Sequence, residues 1–225
     1  MTFSLAARCP RTGAFGIVVS SSSPAVAARC SHLRPGVGAV TSQNITDPRL
    51  GTALLDLLAA GRPAGEAIAV VTASDPTADY RQLTAVDPAG GTAAHSGRHT
   101  LGIHSVVHGA GVVGAGNMLA AGYVIEAMVD GYACSEHDDL AARLLDGLIA
   151  ARNAGGEAGP VHSAGLAALD PAAGWASTDL RVDWHDDPVT ELCRIWQIWQ
   201  PQRDDYITRG IDPSRAPGYG VPGER

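Results

Sequence analysis

The chain contains no lysine, and all sixteen of its basic residues are arginine. A pyridoxal phosphate cofactor, which forms a Schiff base with a lysine amine, is therefore excluded. Catalysis assisted by a lysine is excluded as well, because arginine stays protonated and acts only electrostatically or as a hydrogen-bonding clamp. We expect the protein to work without a cofactor.

Basic runs and long apolar runs are also lacking. Charged residues make up 17% of the chain and the net charge is −7, so the sequence lacks the concentration of basic residues that a nucleic-acid groove requires. No apolar stretch approaches the roughly 20 residues that span a bilayer, and the amino terminus has no basic region followed by an apolar core. We expect a cytoplasmic protein that binds neither nucleic acid nor membrane.

Cysteine is scarce, with four residues scattered along the chain at positions 9, 30, 134 and 193. None of them forms a CxxC pair, which argues against a zinc knuckle or a redox-active dithiol. In the cytosol such isolated thiols stay reduced.

The length and composition bound the domain organisation. A chain of 225 residues with 45% hydrophobic content can bury one substantial core, and residues 1–200 are predicted to form a single domain. Residues 201–225 are rich in Pro, Gly, Asp and Arg. We predict an extended tail that Tyr206 and Tyr219 anchor on the domain or on a partner subunit, in a dimer or larger homo-oligomer.

The amino terminus carries a hydroxyl residue, Thr2, directly after Met1. Removal of Met1 would leave a threonine whose α-amine, with a reference pKa of roughly 7.7 to 8.0, can take the proton of its own hydroxyl. N-terminal threonine is an established activated nucleophile. Many chains begin with Met-Thr and make no use of that threonine, which is the alternative interpretation.

The first strands define the surroundings of Thr2. Residues 2–9 and 14–22 have strand character, and the turn residues 10–13, Pro-Arg-Thr-Gly, predict an antiparallel hairpin between them. Pairing in which the two residue numbers add to 23 places Thr2 opposite Ser21. The serines at 20–23 would then flank the new amino terminus, unless they are only a polar strand end before Pro24.

The remaining elements alternate in blocks of strands and helices. Strands are predicted at 36–43, 80–87, 91–96, 161–169 and 175–184, with helices after Asp47, Pro63, residue 117, residue 139 and Asp187. This order indicates a layered α+β domain rather than a parallel βαβ series.

The glycine-rich segment 114–117, Gly-Ala-Gly-Asn, precedes an apolar run that includes Leu119 and Val124. One interpretation makes it a strand-to-helix turn with Asn117 as the N-cap. The other makes the helix start a site for an anion or oxyanion.

Two polar groups suggest competing sites. His95, His99, His104 and His108 could bind zinc, but intervening glycines argue against a shared face, so we assign no metal ligands. Asp179, Arg181 and Asp183 alternate on one strand face. We favour a structural ion pair there over a substrate clamp at Arg181.

Several motifs together resemble one family. They are residues 36–44 (GVGAVTSQN), Asp47-Pro48, residues 94–97 (AHSG), residues 116–119 (GNML) and residues 179–183 (DLRVD), in addition to the amino-terminal hairpin. From Thr2 to about residue 200 the chain is similar to the family called domain of unknown function 1028. The resemblance implies the fold of N-terminal nucleophile (Ntn) hydrolases, a four-layer αββα sandwich of two antiparallel sheets, and an amide-bond hydrolase.

The resemblance also implies roles for residues. Thr2 takes the position of nucleophile and base, and the candidates for binding substrate or an oxyanion are Ser21, Ser22, Arg29, Gln43, Asn44, Asn117 and Arg181. The family pattern has a lysine near the end of the second strand, where this chain has Ser22. Because such a lysine lowers the pKa of the amine in threonine Ntn hydrolases, this chain must work differently or has lost activity.

The functional prediction is an Ntn-type amidohydrolase that uses Thr2 to cleave a C–N amide bond in a small molecule or small peptide. The alternative is a non-catalytic protein of the same fold that binds a small metabolite or a partner. A metal-dependent hydrolase is the third possibility.

Overall fold

The structure is a computed structural model and describes residues 2–222. Its ten strands are β1 (Thr2–Arg8), β2 (Phe15–Ser21), β3 (Ser31–Arg34), β4 (Gly38–Asn44), β5 (Arg81–Val86), β6 (Thr92–Ser96), β7 (Ser105–Gly109), β8 (Val112–Asn117), β9 (Ser163–Leu169) and β10 (Ala176–Val182). Its seven α-helices are α1 (Val26–Cys30), α2 (Pro48–Ala59), α3 (Ala64–Ser74), α4 (Val124–Ala133), α5 (Leu140–Asn153), α6 (Pro188–Trp199) and α7 (Arg203–Ile211).

The strands form two antiparallel sheets. The first sheet has the order β10-β9-β2-β1-β8-β7, and the second has the order β3-β4-β5-β6. Helices α4, α5 and α6 cover the outer face of the first sheet, while α2 and α3 cover that of the second. The inner faces of the two sheets pack against each other. The α+β fold is therefore the four-layer αββα sandwich that the resemblance implies.

The amino-terminal hairpin has the predicted register. Phe3 pairs with Ser20 and Arg8 with Phe15, so paired residue numbers add to 23. Gly13 closes the turn at a φ of 75°, a left-handed conformation that glycine adopts without a steric penalty. On its other side β1 pairs with β8, with Thr2 opposite Asn117. The strand that begins at Thr2 thus has a neighbour on each side.

Helix starts follow the sequence signals closely. The Asp47 side chain accepts a hydrogen bond from the Arg49 amide and caps α2, and Asp187 caps α6 in the same way through the Thr190 amide. In both helices proline occupies the first helical position, where its missing N–H costs no hydrogen bond.

Two expectations are corrected. Residues 114–117 lie inside β8, and the next helix begins only at Val124 with Tyr123 as its cap residue, so Asn117 is not an N-cap. The segment after Pro201 is not simply extended, because residues 203–211 form α7. This helix contacts β10, and the Arg203 guanidinium forms an ion pair with Asp139 at the start of α5.

Among residues 2–222, none of the helices is both long and apolar enough to cross a membrane.

Candidate functional site

The space between the two sheets is apolar at one end and polar at the other. Successive residues of β1 point to opposite faces, so Phe3 and Leu5 pack under α4 and α5 while Thr2, Ser4 and Ala6 face the second sheet. Ala6 belongs to an apolar cluster that joins the sheets. The other end, towards Thr2, is lined by buried hydroxyl and amide side chains.

Thr2 lies at this polar end with only 4% of its surface exposed. Its hydroxyl, Oγ1, is 3.4 Å from the Ser21 Oγ, which is the contact that the predicted register requires. Asn117 is its neighbour in β8, so residues from both adjacent strands flank it on the inner face.

A row of hydroxyls leads from Thr2 to a positive charge. The Ser21 Oγ is 2.8 Å from the Ser23 Oγ, and the guanidinium of Arg29 donates to that same Ser23 oxygen. Arg29 also donates to the carbonyl oxygens of Pro24 and Ala25, which fixes its position on α1. Because the guanidinium stays protonated, it polarises this row of hydroxyls without exchanging a proton with them.

Gln82 is the centre of a buried amide network on the second sheet. Its Nε2 donates to the Gly116 carbonyl oxygen at 3.1 Å, which fixes the orientation of the amide because a carbonyl can only accept. The Gln82 Oε1 therefore accepts from the Gln43 Nε2 at 2.8 Å and from the Asn117 Nδ2 at 3.0 Å. The Gln43 Oε1 in turn accepts from the Ser4 hydroxyl at 2.8 Å.

This network determines which end of Asn117 is available for chemistry. Its amide nitrogen is held by Gln82, whereas its buried Oδ1 has no hydrogen-bond partner among residues 2–222. A buried polar atom left in this way costs about 1–3 kcal/mol. The available atom is an acceptor, so Asn117 suits an amine, an ammonium or a water better than an oxyanion.

Glu157 adds a buried carboxylate close to the same strand ends. It is 4% exposed, and both of its oxygens lie 3.2 Å from the Ser22 backbone nitrogen, which donates to them. Burial raises the pKa of Glu157 to about 7, and the hydrogen bonds from Ser22 offset only part of this effect. The residue also lines a cavity of about 250 Å³ together with Phe3 and Arg152.

Two of the predicted residues lie in structural roles elsewhere. Asn44 adopts a positive φ of 71° and ties two loops together, donating to the Tyr80 carbonyl oxygen and accepting from the Leu101 amide. Arg181 forms a bidentate ion pair with Asp179 on β10, which lies at the edge of the first sheet, beyond β9 and β2 from β1. The structural interpretation of the Asp179–Arg181 row matches this geometry.

The four histidines do not converge. His95 contacts the Ala78 carbonyl oxygen, His99 packs on the Tyr80 ring, His104 contacts the Gly102 carbonyl oxygen, and His108 contacts the Thr92 hydroxyl. Across the part of the chain that the structure describes, no three His, Cys, Asp or Glu residues are grouped so that they could hold a metal ion.

Fold and site together define a class: an αββα sandwich whose central strand begins at a buried threonine facing a polar space between the sheets. The chain belongs to the family of unknown function DUF1028, whose family model matches residues 2–192.

The solved structures include a protein of the same family. Protein SPO2555 from Silicibacter pomeroyi is 30% identical, with a TM-score of 0.84 over 92% of this chain and 94% of that one. Two more distant matches are Anbu (ancestral beta-subunit) from Yersinia bercovieri and an Anbu (Gly-1) mutant from Hyphomicrobium sp. strain MC1. The first is 15% identical, with a TM-score of 0.39 over 97% of this chain and 100% of that one. The second is 12% identical, with a TM-score of 0.43 over 98% of this chain and 100% of that one. None of the curated proteins matches the chain.

Gln82 and Glu157 are not predicted as site residues from the sequence. Gln82 lies in a strand that is correctly predicted, and an amide at an inward-facing strand position is a usable signal for a buried network. Glu157 lies in a glycine-rich segment that reads only as the end of α5. Its approach to Ser22 depends on a contact across 135 residues, which no local pattern predicts.

Proposed function

We propose that the protein is an Ntn hydrolase that cleaves the C–N bond of a small amide, with Thr2 as its nucleophile after removal of Met1. The observation that supports this most is the position of Thr2. It begins the central strand β1, and its hydroxyl faces the polar space between the sheets rather than solvent or the apolar core.

In the proposed reaction the Thr2 Oγ1 attacks the amide carbonyl carbon while the α-amine of the same residue takes the hydroxyl proton. The amine then passes this proton to the departing amine of the substrate, which leaves an ester between the acyl group and Thr2. Water adds to that ester with the amine again as base, releasing the acid and restoring the hydroxyl.

Two features of the site support a proton transfer from the Thr2 hydroxyl to the α-amine. The Asn117 Oδ1 offers an acceptor beside the residue that carries the amine. Arg29 supplies positive charge through Ser23 and Ser21, which favours an ionised or polarised hydroxyl at Thr2. Both contributions are available without a lysine.

The second candidate is a non-catalytic member of this fold that binds a small metabolite or a partner. The observation that favours it is the burial of Thr2, because a nucleophile that is 4% exposed must gain access to its substrate.

The test is a covalent probe on untagged protein. A β-lactone is opened by an activated hydroxyl without a leaving group, so the adduct has the full mass of the lactone. We expect intact mass and amino-terminal sequencing to show loss of Met1 and one adduct on Thr2. Thr2→Ser should keep the adduct, and Thr2→Ala should reduce its rate of formation at least 100-fold, since the hydroxyl is the reacting group.

The matched control is Thr12→Ala, which removes a hydroxyl at the far end of the same hairpin and should react like the wild type. Retained Met1, or equal labelling of Thr2→Ala and the wild type, would refute the hydrolase and favour the binding protein. A positive result justifies screening small amides for hydrolysis.

A further inference from the structure

Glu157 is a buried acid that takes no part in the proposed cleavage reaction. The segment containing it is firmly placed: the Ala120 amide donates to the Gly156 carbonyl oxygen and the Ala158 amide donates to the Met118 carbonyl oxygen. Gly156 has a φ of 57°, a left-handed conformation that turns the chain after α5 and directs Glu157 towards the ends of β1 and β2.

The carboxylate is incompletely satisfied by its surroundings. Among residues 2–222 its hydrogen-bond donors belong to one residue, Ser22, although a carboxylate has about four acceptor sites. Within residues 2–222 no arginine or histidine forms an ion pair with it, a situation that is costly for a buried charge.

The position of Glu157 relative to Thr2 follows from the hairpin register. Thr2 lies beside Ser21, so Ser22 is one residue further along, past the amino end of Thr2. The carboxylate that the Ser22 amide holds is therefore located next to the place where the α-amine of a processed chain begins.

We propose that Glu157 is a positioning residue that pairs with the α-amine of Thr2 and exchanges a proton with it. This inference rests on the proposed function. In the exchange an ammonium N–H bond breaks and a carboxyl O–H bond forms, giving a neutral amine and a carboxylic acid. The neutral amine can then accept the Thr2 hydroxyl proton during attack.

Burial makes this exchange feasible. The raised pKa of Glu157, about 7, lies close to the roughly 7.7 to 8.0 of a free α-amine, so the charged and neutral forms of the pair differ little in free energy. A lysine would lower the pKa of the amine by electrostatic repulsion. The Glu157 carboxylate instead attracts the ammonium and raises that pKa, and the neutral amine forms when the proton passes to the carboxylate.

Other charged groups near Glu157 have partners of their own. Arg152 lines the same cavity, but its guanidinium donates to the Asn153 and Thr190 side chains. Asp187 caps α6, and Asp186 is exposed at the rim. Arg29 is directed towards Ser23. Glu157 is therefore the carboxyl group placed to pair with the Thr2 amine.

The absence of lysine permits a direct test, because the α-amine is the single aliphatic amine of the processed chain. Acetic anhydride acylates only neutral amines, so the pH at which the acylation rate reaches half its maximum reports the pKa of the amine. Hydroxylamine removes any ester formed at the Thr2 hydroxyl. The tryptic peptide Thr2–Arg8 then carries the acetyl group and is quantified by mass spectrometry.

We expect the midpoint of this profile to fall by about one pH unit in Glu157→Gln, because the ammonium loses its counter-charge. Glutamine retains the acceptor for the Ser22 amide, so the fold should persist. Glu157→Asp should return the midpoint most of the way to that of the wild type. The matched control is Glu126→Gln, which removes the same charge from an exposed position on α4 and should leave the midpoint unchanged.

The outcomes separate this inference from the proposed function. If Thr2 reacts with the lactone but Glu157→Gln and the wild type share one midpoint, the role of Glu157 is refuted and the hydrolase stands. If Met1 is retained, there is no Thr2 amine and both are refuted.

Discussion

At the residue scale, the chemistry of the site depends on how burial changes side chains that are ordinary elsewhere. A glutamate in solution is ionised at neutral pH, whereas Glu157 is held near its protonation midpoint because it is removed from water and has few donors. The same removal from water leaves the Asn117 oxygen as an acceptor without a hydrogen-bond partner in the described part of the chain.

The raised pKa of Glu157 makes stability depend on pH. Between the ordinary pKa of 4.5 and the folded value of about 7, the folded chain keeps a proton that the unfolded chain releases, so stability is lost as pH rises through this window. Relative to the wild type, Glu157→Gln should gain up to about 3 kcal/mol between pH 4.5 and pH 7.5, because each tenfold difference in proton affinity is worth about 1.4 kcal/mol.

Urea unfolding at these two pH values measures this difference. The amino terminus of both proteins is acetylated first, which the lysine-free sequence makes selective, so that the charge of the amine does not contribute. A stability difference between the two proteins that is the same at both pH values would contradict the raised pKa. Other carboxyl groups cancel in the comparison.

The candidate site could be predicted from the sequence only in part. Thr2 and Ser21 are brought together by a local turn, and a local turn can be predicted from the residues that form it. Gln43 and Asn117 came from the family resemblance, and they do share one network through Gln82. Asn44 and Arg181 carry equally plausible side chains, but their use in loop and ion-pair contacts depends on how the folded chain surrounds them.

At the scale of elements, predictions succeeded where one residue type dictates the backbone. Asp-Pro pairs mark the starts of α2 and α6, and Pro-Arg-Thr-Gly marks the first hairpin turn. The short elements α1 and β3, five and four residues long, carry no such signal and were missed.

The strand β8 was misread because its glycines serve packing rather than turning. A Cβ at Gly114 would lie 2.8 Å from an Ile125 methyl carbon, and one at Gly116 would lie 2.7 Å from another. Glycine at these positions lets α4 approach the sheet closely. Glycines in a strand can mark such a close approach, but the sequence alone does not distinguish it from a turn before a helix.

At the scale of the whole molecule, the Gln82 network connects the two sheets by hydrogen bonds. Gln82 belongs to the second sheet, while its partners Gly116 and Asn117 belong to the first. Replacing Gln82 by an apolar residue leaves several buried polar groups without hydrogen-bond partners, which costs more than the loss of one hydrogen bond.

Gln82→Leu should therefore lower the free energy of unfolding by about 3 kcal/mol, measured from urea denaturation. The matched control is Gln197→Leu, the same change at an exposed position of α6, which should stay within about 0.5 kcal/mol of the wild type. Equal effects of the two substitutions would show that the network contributes nothing specific.

Because β1 lies between β2 and β8, its two neighbouring strands become available at different times during synthesis of the chain. β8 ends roughly 115 residues after Thr2, so at about 5–20 residues per second it is synthesised roughly 6 to 23 s later. During that interval the amino end has β2 available but not β8. A methionine aminopeptidase should therefore process the nascent or unfolded chain at least ten-fold faster than a folded chain that still carries Met1, which mass spectrometry of the two substrates measures. Equal rates for the two substrates would contradict the expectation that Met1 is removed before the chain folds. A chain that completes its central sheet before processing would be trapped in a folded, unprocessed form.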